Sequence, residues 1–474
     1  MNRPMDELDS IQERLLVRGL STEEKTELME RKELLMPVVE QAEDDFEALQ
    51  DEVQELKEKI DVELAEIARQ QELAVHLFQK AASQGHGDAF FMTALCYEKG
   101  RGVPLNPKGA FRYYRDGAEA GHAGCQYNYG VALRKGKGCE PDLQASVNWM
   151  KKAAQQNHAE AVYTCGIDAY NGRGIKQDYQ IAYMLFEQGG GLEHAGAMYH
   201  WGLCLEKGRG CQKKMRGPNG AIDKYEKAAE LGWPAAMHQV AINSVDLTKA
   251  FRMFSAAADM GHAEAAYNAA VWCYKGKGWA IPRDHPLAFA RFEQAAGEGH
   301  AGAAYFLGVI YQSGELDMPG FEQDLVEAVA WFRRCLEKGP PPKVACKASH
   351  KLATCLWKGL GVQQDVELAA RLMKKASDQG CITALPDLSA MYWRGEGVTM
   401  DKMKSVTFLK RSAELNDPRG CYDLGMLYLE GQPDVKILKD TSTAVLWLNR
   451  AASKGHIGAQ TELKKVSEAS GSMF

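Results

Sequence analysis

Long apolar runs are absent from this 474-residue sequence. A helix that crosses a bilayer needs about 20 consecutive apolar residues, and no run of about 18 occurs here, so we expect no membrane insertion. The first ten residues, MNRPMDELDS, are polar and acidic and lack the apolar core of a secretion signal. These two absences indicate neither secretion nor membrane spanning.

Catalytic and phosphate-binding motifs are absent as well. The sequence has no G-K-S/T phosphate loop, no G-x-S-x-G nucleophile motif and no H-E-x-x-H zinc motif. Residues 189–191 are three consecutive glycines, but no predicted strand precedes them and they are typical of a helix end. We therefore expect a non-enzymatic protein without cofactors.

An internal repeat dominates the sequence instead. Gly85-His86, Gly121-His122, Asn157-His158 and Glu193-His194 are 36 residues apart, and similar turns continue at looser spacing. A fixed period between about 20 and 50 residues is typical of a solenoid, in which each helix hairpin packs only against its neighbours. We predict an all-α solenoid of about eleven antiparallel hairpins over residues 73–466, followed by a flexible tail over residues 467–474.

Residues 110–138 show one complete unit. A first helical pattern leads to a turn at Gly121-His122, and a second stops at the glycine pair Gly136 and Gly138. In several units an aspartate precedes the first helix, where its carboxylate can accept hydrogen bonds from the first turn. The aspartates predicted to cap helices in this way are Asp142, Asp178, Asp284, Asp324, Asp365, Asp401 and Asp440.

The pattern A-x-x-(W/Y/F)-(F/L/Y)-x-x-A-A-x-x-G-(H/N)-x-x-A, followed by L-G-x-x-Y-x-x-G-x-G-V, resembles the Sel-1-like repeat, a relative of the tetratricopeptide repeat. The resemblance implies a right-handed superhelix of paired antiparallel helices that serves as an adaptor surface in protein complexes. A tetratricopeptide or pentatricopeptide array is the alternative fold. One close copy consists of Ala145, Trp149, Ala153, Ala154, His158 and Ala161.

The histidines and cysteines fit this repeat better than they fit a reactive site. The group His194, His200, Cys204 and Cys211 has the residue types of a zinc site, but His194 belongs to a turn and Cys211 lies beyond the glycine loop, so we expect no metal. The twelve cysteines have no fixed partner in each repeat and are expected to be reduced and buried, which favours a cytoplasmic protein. Hairpin geometry explains the seven histidines that share one turn position: His86, His122, His158, His194, His262, His300 and His456.

Charge divides the chain into an acidic arm and a basic solenoid. Residues 1–72 carry 22 acidic and 9 basic residues, a net charge of −13, which leaves 41 acidic and 48 basic residues, or +7, for the remainder. Within the arm we predict a helix over residues 5–20 and a second helix that Pro37 ends or kinks.

An apolar seam follows Pro37 at spacings of three and four residues. It predicts that the arm folds back on the preceding helices, caps the first repeat, or forms a short coiled coil that pairs two copies through residues 46–67. The seam consists of Phe46, Leu49, Val53, Leu56, Ile60, Leu64 and Ile67.

Basic residues recur in the loops after the second helices. Arg101, Lys137, Arg173 and Arg209 stand between paired glycines at a spacing of 36 residues. Because equivalent loops stack on one edge of a solenoid, we predict a basic ridge that binds an acidic protein surface. The alternative is that helix ends simply favour cations at a solvated edge. The basic ridge comprises Lys99, Arg101, Arg134, Lys135, Lys137, Arg173, Lys207, Arg209, Lys213, Lys214, Lys275 and Lys277.

These features together predict a scaffold or adaptor that binds other proteins. One alternative is a structural part of a large assembly, such as a cytoskeletal one. Another is nucleic-acid binding along the basic edge, but the mild charge of +7 and the lack of aromatic residues among the basic loops argue against it.

Overall fold

The computed structural model describes residues 10–11, 22–217, 219–277, 280–314 and 321–471. Over these ranges the protein is all-α, with two isolated β-bridges, Lys277 to Ile281 and Gln432 to Ile437. Consecutive helices pack as antiparallel hairpins, which confirms the predicted solenoid fold. The chain forms two compact units, Met1–Asp178 and Tyr179–Phe474.

The described helices of the first unit are α1 (Thr22–Ser83), α2 (Gly87–Lys99), α3 (Pro107–Glu119), α4 (Ala123–Lys135), α5 (Leu143–Gln155) and α6 (Ala159–Asn171). Those of the second unit are α7 (Tyr179–Gly191), α8 (Ala195–Lys207), α9 (Ala221–Glu230), α10 (Pro234–Asn243), α11 (Leu247–Asp259), α12 (Ala263–Lys275), α13 (His285–Gly297), α14 (Ala301–Ser313), α15 (Leu325–Glu337), α16 (Pro342–Lys358), α17 (Val366–Asp378), α18 (Ala384–Arg394), α19 (Lys402–Glu414), α20 (Pro418–Glu430), a 3₁₀ turn (Pro433–Val435), α21 (Thr441–Ser453) and α22 (Ile457–Gly471).

Aspartates begin the first helices of the hairpins, as predicted. The Asp142 carboxylate accepts a hydrogen bond from the Ala145 N–H at 2.9 Å, which satisfies a donor that the first turn leaves unpaired. Asp178 stands directly before α7. The prediction is confirmed for six of the seven aspartates: Asp142, Asp284, Asp324, Asp365, Asp401 and Asp440.

Histidines begin the second helices in the same manner. The Nδ1 atom of His122 accepts a hydrogen bond from the Cys125 N–H at 3.1 Å. His86 stands at the same position without a side-chain cap. Hairpin geometry therefore does explain the recurring turn histidine. The histidines that cap through Nδ1 are His122, His158, His194, His262, His300 and His456.

The G-x-G loop ends the second helix. Gly136 adopts a left-handed conformation, and the Lys137 N–H bonds to the Ala132 carbonyl five residues back at 3.0 Å. Gly138 also has a positive φ, and a Cβ at this position would overlap the Pro107 carbonyl oxygen at the start of α3. Only glycine allows this close approach, because any side chain would push the loop away from the helix.

Small residues and one large side chain in each first helix build the core. Tyr114, Phe186, Tyr225 and Phe292 are all buried. A Cβ on Gly202 would lie 2.6 Å from the Tyr225 ring, so the glycine lets α8 approach α9 closely. All twelve cysteines are free thiols and nine are buried, where they pack as small apolar groups.

The acidic arm continues without interruption into the first repeat. Helix α1 has 62 residues, runs through Pro37 and ends at Ser83. The predicted end at Pro37 is therefore wrong, while a kink there stays a prediction. The described seam side chains are about half exposed, and they are Phe46, Val53, Leu56, Ile60, Leu64 and Ile67.

Some predicted segments lie largely or partly outside the described residues. Of the predicted helix over residues 5–20, only residues 10–11 are described, and they are helical. Helix α22 continues to Gly471, so residues 467–471 of the predicted tail are helical, and residues 472–474 lie outside the described part.

Candidate protein-interaction surface

Three basic residues of the first unit occupy one repeated backbone position. Arg101, Lys137 and Arg173 each follow the glycine that ends α2, α4 or α6. The N–H of each donates to the carbonyl five residues earlier at 3.0 Å. All three side chains are exposed. The geometry therefore repeats three times and presents a cation each time.

Lys137 has a weak partner at this position. Its Nζ lies 3.4 Å from Glu98 Oε1, and the two side chains are 55% and 29% exposed. The other Glu98 oxygen accepts a hydrogen bond from the Tyr114 hydroxyl at 2.9 Å. An exposed ion pair contributes about 0–1 kcal/mol, so Lys137 can exchange Glu98 for another carboxylate at little cost.

Arg134 does not belong to the exposed ridge. Its guanidinium makes a bidentate ion pair with Asp168, with distances of 2.5 Å and 3.1 Å, and the two side chains are only 19% and 1% exposed. Burial raises the pKa of the Asp168 carboxyl, although the Arg134 charge opposes that shift. The pair joins α4 to α6, the second helices of consecutive repeats. Arg134 is therefore a structural residue, and its assignment to a partner-binding surface is corrected.

The remaining ridge residues of the first unit, Lys99 and Lys135, are exposed at the ends of α2 and α4. In the second unit, Lys207, Lys213, Lys214, Lys275 and Lys277 are exposed.

Two cations of the second unit lie against aromatic rings of the same unit. The Arg209 guanidinium lies 5.1 Å from the centre of the Tyr179 ring, and Lys277 Nζ lies 4.8 Å from that of Trp272. At the equivalent inner loop position further along, Glu396 accepts a hydrogen bond from Trp357 Nε1 at 2.6 Å. At the inner loop position of the second unit, Arg209, Lys277 and Glu396 therefore each contact an aromatic side chain of their own unit.

The metal-like residues have other roles. His194 Nδ1 caps α8 by accepting from the Ala197 N–H, and His200 Nδ1 lies 2.9 Å from the Gly196 carbonyl oxygen. The Cys211 thiol lies 3.5 Å from the Cys204 carbonyl oxygen. Among the described residues, no group of three histidine, cysteine or acidic side chains is placed to hold a metal ion.

Comparison with known proteins identifies the repeat. The sequence model of the Sel1 repeat matches most of the chain, at residues 65–86, 88–122, 123–158, 159–190, 195–233, 244–262, 263–300, 301–340, 346–381, 387–417 and 418–456. The chain belongs to the Sel1 repeat family. Proteins of this family generally mediate protein–protein interactions on a fold that is generally non-enzymatic.

The family repeat uses a different starting point from the unit inferred above. The match over residues 123–158 begins at α4, crosses the G-x-G loop and ends at His158 after α5. This family repeat, like those over residues 88–122, 159–190 and 263–300, therefore contains two helices joined by a G-x-G loop. The turn histidine His158 lies where this repeat meets the next one.

Two solved structures are similar to this chain. The protective antigen c5321 of uropathogenic Escherichia coli strains, which displays an SLR fold, is 22% identical, with a TM-score of 0.65, over 83% of this chain and 82% of that chain. A Sel1 repeat protein from Oxalobacter formigenes is 22% identical over 75% of this chain and 89% of that chain, with a TM-score of 0.42. At this identity the likeness to c5321 concerns the fold alone.

Across the described residues, every helix is too short or too polar to span a bilayer.

Proposed function

We propose that this protein is a non-enzymatic cytoplasmic scaffold that holds a multiprotein complex together and uses the basic loops of its first unit to bind an acidic protein surface. The observation that carries the proposal is the repetition of one exposed cation on one loop geometry, at Arg101, Lys137 and Arg173. Lys99 and Lys135 add exposed charge beside these loops.

Several charges must act together for this surface to bind. An exposed ion pair contributes about 0–1 kcal/mol, so one loop alone cannot hold a partner. The interaction should also weaken with salt, because the Debye length falls from about 10 Å at 0.1 M to about 3 Å at 1 M. A salt-sensitive complex is therefore expected.

The experiment compares two triple charge reversals in the full-length protein. The ridge variant carries Arg101→Glu, Lys137→Glu and Arg173→Glu. The control carries Lys80→Glu, Arg112→Glu and Lys151→Glu, which reverse exposed charges of the same unit outside the loops.

Capture from native lysate at low and high salt, followed by mass spectrometry, should show a set of partners that only the ridge variant loses. Equal loss from both variants would mean that net charge, and not the loops, binds the partners. Partners that are nucleic acids would overturn the protein-binding proposal.

We further propose that the arm, residues 1–72, pairs two copies through residues 46–67 and precedes a solenoid over residues 73–466 and a tail over residues 467–474. The continuous helix α1 and its half-exposed seam support the pairing. When the seam of a second copy packs against it, the apolar side chains leave water, and their burial stabilises the dimer.

Light scattering with matched variants tests the pairing. Ile60→Asp places a charge in the seam and should give a monomer. Val62→Asp places the same charge at an exposed position outside the seam and should leave a dimer. A monomeric wild-type protein would refute the pairing.

A further inference from the structure

A groove lies between the first two basic loops of the first unit. Its volume is about 390 Å³, which is within the range of about 300–1,000 Å³ for ligand pockets. Leu105 lines it from the first loop and Pro107 from the start of α3. The next loop contributes Gly136, Lys137 and Gly138. The groove therefore opens at the proposed interaction surface.

Most of the groove wall is apolar. Phe111 and Val131, both half-buried, face it from α3 and α4, and buried Ala110 and Tyr114 also line it. Leu105 is 66% exposed. An exposed leucine above an apolar cavity loses contact with water when an apolar side chain enters, and this loss favours binding.

Two polar side chains of the groove are available to a ligand. The half-buried Asn128 amide has no hydrogen-bond partner among the described residues, and it offers both donors and an acceptor. Lys137 uses its ammonium only for the weak contact with Glu98. Glu98 is the less exposed of the two and also accepts from Tyr114, so the accessible charge at the rim is positive.

We propose that this groove receives one apolar side chain of an extended acidic segment from a partner protein. Lys137 pairs with a carboxylate next to that side chain, and the Asn128 amide bonds to the segment's backbone. The inference rests on the proposed function, since it uses the same basic loops, and it adds an apolar anchor to a surface so far defined by charge alone.

Fluorescence anisotropy with the full-length protein tests the groove. The probe is a fluorescein-labelled peptide, Glu-Glu-Glu-Leu-Glu-Glu-Glu, and its comparison peptide has serine in place of leucine. Because burial of a leucine side chain favours binding strongly, the wild-type protein should bind the leucine peptide about tenfold more tightly or better.

Three variants locate the effect. Leu105→Ser removes an exposed apolar wall and should reduce the preference for leucine to about twofold. Asn128→Leu keeps the side-chain size without hydrogen bonds and should weaken both peptides about tenfold. Leu415→Ser changes an exposed leucine of the second unit and should change neither affinity. Circular dichroism checks that each variant stays helical.

The outcomes separate this inference from the proposed function. Equal binding of the two peptides by the wild-type protein, with loss of both in the ridge variant, would overturn the groove and leave the charge-based surface standing. Failure of both peptides to bind at low salt would overturn both. Unchanged binding by Asn128→Leu would refute the contact with the peptide backbone.

Discussion

Breaking the ion pair between Arg134 and Asp168 should loosen the second helices of the first unit. In Asp168→Ala the guanidinium keeps its largely buried position but loses its charged partner. Removal of one member of a buried pair costs about 3–5 kcal/mol, because the remaining charge is left without compensation. Since Arg134 is 19% exposed and water can reach part of it, we expect about 3 kcal/mol.

Hydrogen exchange with mass spectrometry is the suitable assay, because repeat arrays open locally and need not unfold as one unit. A loss of about 3 kcal/mol corresponds to roughly a hundredfold faster exchange in α4 and α6. The double variant Arg134→Met with Asp168→Leu should restore most of the protection, since apolar side chains can replace a buried pair at little or no cost.

The matched control is Asp116→Ala, which removes an ion-pair partner of Arg115. The Arg115 guanidinium lies 2.8 Å from the Asp116 carboxylate, and the two side chains are 43% and 40% exposed. An exposed pair of this kind contributes about 0–1 kcal/mol. If Asp168→Ala changes exchange no more than this control does, then burial does not strengthen the Arg134 pair and its structural assignment is wrong.

Three further predictions concern the loops, the histidines and the arm. Gly138→Ala should cost more stability in thermal unfolding than Gly121→Ala, because both glycines have a positive φ but only the Cβ at Gly138 meets backbone atoms. Burial, with a smaller contribution from His262, lowers the pKa of His238 from 6.5 to about 4, so the folded state favours the neutral form. The free energy of unfolding is therefore highest above about pH 6.5 and decreases as the pH falls toward about 4. His238→Gln should flatten this acid dependence of the melting temperature, whereas His76→Gln, at an exposed histidine of α1, should not. Deletion of residues 1–66 should convert a dimer into a monomer in light scattering, and an unchanged mass would contradict pairing through the arm.

The sequence predicts features that depend on near neighbours. Asp142 and the turn histidine His122 act within three residues of their own position, so their capping role follows from spacing alone. The continuation of α1 through Pro37 does not follow from local sequence, because a long helix can contain a proline when the turns on both sides of it stay helical.

Contacts between repeats are harder to predict. Arg134 and Asp168 are 34 residues apart, and their pairing depends on which faces of α4 and α6 meet. The sequence alone does not distinguish Arg134 from the other basic residues at helix ends. One signal could have found the pair: Asp168 is an acidic residue between Ile167 and Ala169 in α6, and such a residue needs a partner when it is buried. The groove beside Asn128 has no comparable signal, since it forms between two loops and two helices.

The side chain of the inner residue of the G-x-G loop can change without a change in the fold. The two glycines set the backbone, and the N–H of the inner residue makes the same hydrogen bond whether the residue is Lys137 or Glu396. The fold therefore places little demand on that side chain. Lys137 is exposed with one weak partner, while Glu396 bonds to Trp357 and belongs to the packing between repeats. The backbone hydrogen bond does not depend on this side chain, so the solenoid does not require a cation at Arg101, Lys137 or Arg173. Exchange of these charges should therefore alter binding while the helices remain intact.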